Sequence, residues 1–151
     1  MNALSTKPTR YGVVAVMFRH GRMLVIRRSQ TVIAPGTLCF PGGGIERGES
    51  EEDALRRELR EELALAVNPV RRLWCSLTSW NVHLAWWHCN LARDIAPCPN
   101  PKEVESVGWY RLAELRALPN LLASNGEFLD ALGRQEIRPL LHCCPAETRR
   151  L

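Results

Sequence analysis

What this sequence lacks narrows it before anything else does. No apolar run approaches the roughly 20 residues that a membrane-crossing helix needs; the longest, such as Val13 to Phe18, fall far short. Met1 to Arg10 is polar, carries Lys7, Pro8 and Arg10, and has none of the apolar stretch of a secretory leader, so the expected compartment is the cytosol. The six cysteines (Cys39, Cys75, Cys89, Cys98, Cys143 and Cys144) form no C-x-x-C pair, which excludes zinc-ribbon spacing. His88-Cys89 with Cys98, or His142-Cys143-Cys144, offer metal-site spacings on paper, but reduced thiols in a cytosolic domain are the simpler reading. No internal repeat or low-complexity tract is present. With 46% hydrophobic and 24% charged residues and a net charge of only +4, the chain is not globally disordered.

What is present is one domain's worth of chain, 151 residues, able to fill a single core. Its charge is unevenly spread. Of sixteen acids, Glu46, Glu49, Glu51, Glu52, Asp53, Glu58, Glu61 and Glu62 fall within one short stretch, and the remainder of the chain is basic. An acidic stripe in a basic body suits a site that takes a divalent cation and a polyanion together. A solvated acidic helix is the plainer alternative.

Tyr11 to Phe18 and Met23 to Arg27 are apolar and β-branched, and the polar turn Arg19-His20-Gly21-Arg22 between them predicts a hairpin. A short strand, Leu38 to Phe40, runs into Pro41-Gly42-Gly43-Gly44, a run of backbone-permissive residues. Helix is expected from near Ser50, with Asp53 three positions on as an approximate capping box, through Leu63. Strands are expected over Val70 to Leu77, Val82 to Leu91 and Glu105 to Tyr110, and further helices near Leu112 to Leu115 and over Glu127 to Leu132. This order predicts an α/β fold, a mixed sheet between helices. The organisation expected is an N-terminal segment 1–10, a domain over 11–133, and a C-terminal tail 134–151, partly ordered at best.

On a helical wheel with Glu58 at zero, Glu61 falls at about −60° and Glu62 at about +40°, while Leu55, Leu59 and Leu63 span about 60° to 140°. Three carboxylates therefore crowd a quarter of the circumference, beside the buried face. Like charges at i, i+3 and i+4 weaken a helix. A hard cation such as Mg²⁺, which prefers oxygen ligands, removes that penalty. Arg57 lies one turn from Glu61, where its planar fork can hold a carboxylate.

The run Gly43-x5-Glu49-x7-Arg57-Glu58-Leu59-x-Glu61-Glu62-x-Ala64-Leu65, preceded by Phe40-Pro41-Gly42, resembles the Nudix box of the MutT-like hydrolases. Every fixed position matches except Ala64, where the family usually has glycine. The resemblance implies a Nudix-type α/β/α sandwich with a mixed sheet and a catalytic loop-helix-loop. It implies that Glu58, Glu61 and Glu62, with the Gly42 carbonyl, hold Mg²⁺ or Mn²⁺, and that Gly43, Glu49 and Arg57 are structural, the last two as a bridge. Ala64 puts the left-handed end of the helix in question. The same glutamates, or Glu103 six residues before Trp109, are the candidates for the base that takes a proton from water.

The implied reaction is hydrolysis of a diphosphate linkage in a nucleotide, with Arg28 expected at the phosphates and Trp80, in the turn-like Thr78-Ser79-Trp80-Asn81, at the base. Sequence markers of ADP-ribose, dinucleoside polyphosphate and coenzyme A hydrolases are incomplete: Trp80 replaces a proline, Asn81-Val82-His83 lacks a tyrosine, and Val32 replaces an arginine. A MutT-like nucleoside triphosphate pyrophosphohydrolase is therefore the default, with those substrates, or a catalytically silent nucleotide sensor, as alternatives. No membrane or nucleic-acid partner is expected, because Arg134, Arg138, Arg149 and Arg150 are not interleaved with aromatics. Many family members are dimers, which leaves a homodimer open.

Overall fold

The computed structural model describes residues 10–137. Two four-stranded sheets share the middle layer. In the first, β5 (Gly42–Gly44), β1 (Arg10–Val16), β7 (Val82–Leu91) and β6 (Val67–Leu77) lie in that order, with β1 parallel to β7 and the other pairs antiparallel. In the second, β3 (Arg22–Arg28) pairs with β2 (Phe18–Arg19), with β4 (Leu38–Cys39) and with β8 (Val104–Tyr110). The helices are α1 (Glu51–Leu63), α2 (Leu112–Arg116) and α3 (Ala123–Gly133).

Alternation along the strands feeds two cores. Val13, Ala15 and Met17 pack with Leu55, Leu59 and Leu63 of α1, while Val14 and Val16 pack with Trp86, Phe128 and Leu129 on the α3 side. A strand buried on both faces needs helices on both, which makes the layers α/β/α. Trp86 and Trp87 accordingly face opposite ways: Trp86 is fully buried against Phe128, and Trp87 packs on the α1 side. Among the described residues no helix is long and apolar enough to cross a membrane.

The predicted long hairpin is corrected. Only Phe18 and Arg19 pair with Met23 and Arg22, while β1 departs to the other sheet. Residues 13–17 are buried on both faces and need a neighbour on either side, which a two-stranded hairpin cannot provide. Helix α3 also starts earlier than Glu127, at Ala123, with no side-chain cap on its first turn. Ser124-Asn125-Gly126 reads locally as a turn, yet Ser124 and Asn125 are buried and the Asn125 Oδ1 accepts the Phe40 N–H at 2.8 Å. Ile137 is buried in the α3-side core, so packed chain continues past 133. The remainder of the expected tail, with His142, Cys143 and Cys144, lies outside the described residues.

Candidate functional site

Helix α1 is well specified at both ends. The Ser50 Oγ accepts the Asp53 N–H at 3.1 Å, and Glu51, Glu52 and Asp53 sit at the positive end of the helix dipole. At the other end Ala64 itself takes the left-handed conformation (φ 53°, ψ 33°), its N–H bonding the Arg60 carbonyl and the Leu65 N–H reaching the Leu59 carbonyl. The chain reverses there as it would with glycine, and Leu65 is returned to the core.

Arg57 organises the loop between β5 and α1. Its Nε and Nη2 hold the two oxygens of Glu49 at 2.8 and 2.9 Å, and Nη2 also binds the Gly44 carbonyl at 2.8 Å. Its Nη1 donates to Glu58 at 2.8 Å and lies 3.4 Å from Glu61 Oε2. Glu49 further accepts the Glu46 N–H. Hydrogen bonds from Arg57 first, and from Glu46 second, hold the Glu49 carboxyl down at about 2. The expected Glu49–Arg57 bridge is thus bidentate and fixes the loop to the helix.

Glu58 and Glu62 both shift the other way from Glu49. Burial, against the pull of Arg57, pushes the Glu58 carboxyl upward. Glu62 goes well above its ordinary range, from burial first and then the charges of Glu58 and Glu103. The Gly42 backbone N–H meets the Glu62 carboxylate and opposes that rise, but Glu62 Oε2 is buried and accepts no hydrogen bond from the described residues. Gly43 makes the approach of Glu58 possible, since a Cβ there would fall within its carboxylate, while a Cβ at Gly42 would strike the Val13 carbonyl of the paired strand β1.

Glu58, Glu62 and Glu103 line a crater of about 220 Å³ with Arg28, Gly42, Gly43, Ile26 and Val32. Glu61, expected beside Glu58 and Glu62, does not line it; its side chain is 49% exposed at the outer side of Arg57. As the side chains stand, no three His, Cys, Asp or Glu groups among the described residues close on a single point. Two of the carboxylates are instead drawn to Arg57. The donors nonetheless fit a hard divalent cation: all are oxygens, and one buried oxygen lacks a partner among the described residues. The alternative assembly of His88, Cys89 and Cys98 is not made, since Cys89 is buried and Cys98 is exposed, both as free thiols.

Arg28, Gly42 and Gly43 are also walls of a groove of about 560 Å³ on the α3 side, with Tyr11, Phe40, Leu84, Leu122 and Asn125. Arg28 is braced for this place, its Nε donating to the Ile33 carbonyl at 2.7 Å. Beyond Val82 and Leu84 the groove adjoins a cavity of about 220 Å³ lined by Trp80, which is 56% exposed. The acidic crater and the apolar groove thus lie side by side, sharing Arg28, Gly42 and Gly43. Sequence reasoning missed Asn125 and Tyr11; nothing in their local pattern marks them, since tertiary packing alone brings them to the groove.

Comparison with known proteins is consistent with this layout. A family model described as the NUDIX domain matches residues 8–132. The NAD-capped RNA hydrolase NudC of Stutzerimonas stutzeri is 30% identical over 107 residues, 69% of this chain and 37% of that protein. The CTP pyrophosphohydrolase of Escherichia coli is 34% identical over 79 residues, 50% of this chain and 58% of that protein. The chain therefore spans less than two thirds of either curated relative. Among solved structures, a MutT NUDIX hydrolase from Burkholderia pseudomallei is similar with a TM-score of 0.67 at 27% identity, over 80% of this chain and 95% of that one.

Proposed function

This chain belongs to the Nudix family, and from that premise we propose that it is a Mg²⁺- or Mn²⁺-dependent pyrophosphohydrolase of nucleoside triphosphates, acting in the cytosol. Nudix hydrolases generally use divalent metal ions. The observation that carries the reading is adjacency: the crater of Glu58, Glu62 and Glu103 shares Arg28, Gly42 and Gly43 with an apolar groove of about 560 Å³, within the size range of small-ligand sites.

Glu58, Glu61 and Glu62, with the Gly42 carbonyl, would hold the metal, which when bound neutralises diphosphate oxygens and acidifies water. Arg28 pairs with a substrate phosphate by its fork. Glu103, facing Glu58 and Glu62 across the crater, accepts the proton of the attacking water. The groove takes the nucleoside, and Trp80 stacks on its base. Glu49 and Arg57 hold the loop that carries the glycines.

The name of the E. coli relative, a CTP pyrophosphohydrolase, supports the triphosphate reading. That of the S. stutzeri relative keeps dinucleotide-type substrates, with ADP-ribose and coenzyme A, as the second reading. The test is a turnover screen of the nucleoside triphosphates, ADP-ribose, diadenosine polyphosphates, NAD and coenzyme A with Mg²⁺ or Mn²⁺. Pyrophosphate and a nucleoside monophosphate are the expected products from the triphosphates.

Glu62→Gln is the control, read in two ways. Turnover should be lost, because the crater loses its most buried anion. The metal-free protein should melt higher than wild type, because a neutral amide replaces a carboxyl group whose ionisation burial and its acidic neighbours oppose, and Mg²⁺ should no longer raise its Tm. Equal turnover by Glu62→Gln, or an undiminished Mg²⁺ effect on Tm, would refute the metal site.

A further inference from the structure

Glu103 stands on a turn, residues 100–104, that is fastened on both sides. Toward α1, the Asn100 N–H donates to the Glu62 carbonyl and the Cys98 N–H to the Leu63 carbonyl, both at 2.8 Å. These bonds satisfy carbonyls at the helix end that have no partner within the helix. Within the turn, the Asn100 carbonyl accepts the N–H of Glu103 at 3.0 Å and of Val104 at 2.7 Å. Toward β3, three further hydrogen bonds come from the residues just after Arg28. The Ser29 N–H donates to the Glu103 carbonyl at 3.0 Å, and its Oγ donates to the Lys102 carbonyl at 2.9 Å. The Thr31 hydroxyl donates to the same Lys102 carbonyl at 3.0 Å.

Two features show that this attachment answers a need. Glu58, Glu62 and Glu103 bring three carboxyl groups to one small crater, where like charges repel. An untethered turn would relax by swinging Glu103 outward. The pairing of β3 with β8 also slips at this point, the partner stepping from Ser106 opposite Arg27 to Val104 opposite Arg28. Such a bulge beside a site re-aims the neighbouring chain and removes the ladder bonds that would otherwise hold it. Ser29 stands where the ladder fails. It is only 5% exposed, and a buried hydroxyl is retained at a cost unless its bonds are made.

The geometry points to Ser29 as a positioning residue that holds Glu103 at the crater. Because Ser29 follows Arg28, one short stretch sets both the phosphate-facing guanidinium and the proton acceptor, so that the two stay in register with each other. The role rests on the reading of Glu103 given above.

The test is a double-mutant cycle in Mg²⁺ on the substrate turned over fastest in the screen. Ser29→Ala should lower kcat about tenfold with KM unchanged, as expected for a misplaced catalytic group. Ser29→Thr, which keeps the hydroxyl, should restore most of it. In a Glu103→Gln background, Ser29→Ala should cost nothing more, because the group it positions is already lost. Thr31→Ala, at an exposed residue, should give a smaller loss in the same sense and serves if Ser29→Ala does not fold. Additive costs in the cycle, or a loss carried by KM alone, would overturn the positioning role while leaving Glu103 in place. A Glu103→Gln protein with wild-type kcat would instead remove Glu103 as the proton acceptor, and the role of Ser29 with it; absence of turnover on every substrate would remove both.

Discussion

His88 shows what a single residue can reveal when it lies away from the chemistry. It is buried on β7 against the edge of Phe18, opposite Arg71, and its Nδ1 has no hydrogen-bond partner among the described residues. Burial first, and then the charge of Arg71, lower its proton affinity below the ordinary 6.5, against a small opposing bond with Asn90. The sign follows from linkage: between the folded value and 6.5 the unfolded chain binds more protons, so stability falls as pH falls through that window. We expect His88→Leu to shrink the loss of Tm between pH 7.5 and 5.5. An unchanged pH dependence in that variant would show that other groups carry it.

At the level of elements, α1 is legible in the sequence because its signals agree: a serine cap, acids in the first turn, and a leucine stripe of period 3.6. Its end is the one conflict. Ala64 adopts a left-handed backbone that costs a residue with a Cβ roughly 1 kcal/mol relative to glycine. Ala64→Gly should therefore raise stability by about 0.5–1 kcal/mol in chemical denaturation, less what glycine loses in the unfolded chain, with kcat unchanged. A destabilised variant would mean that the Ala64 methyl packs usefully. Strand β5 was illegible for the opposite reason. Three glycines carry no side-chain pattern, and only pairing of Gly42, Gly43 and Gly44 with Val14, Val13 and Gly12 makes them a strand. The start of α3 was hidden too, because buried Ser124 and Asn125 resemble turn residues until their partners are seen.

For the molecule as a whole, the decisive feature is that the acidic crater and the apolar groove share Arg28, Gly42 and Gly43 as walls. Asn125 lines the groove, its Oδ1 accepting the Phe40 N–H at 2.8 Å and so tying α3 to the approach to β5. Asn125→Ala leaves a buried amide unpaired and should destabilise the fold by about 1–3 kcal/mol. It should also raise KM more than it lowers kcat, since Asn125 lines the groove and not the crater. A variant with normal stability and KM would show that water replaces the amide oxygen without consequence.

The helix that carries Glu58, Glu61 and Glu62 is legible in the chain itself, because it depends on near neighbours and on local rules of capping, periodicity and charge, while the family and the Glu49–Arg57 bridge follow from the resemblance of the box. Which carboxylates share the crater is settled by packing across the chain. Glu103 enters it across forty residues of chain, while Glu61, though one turn from Glu58, is turned outward beside Arg57. The physical reason is that direction on a helix is set by spacing, whereas proximity between Glu62, Glu103 and Arg28 is set by how two sheets and a turn pack, which no local pattern encodes.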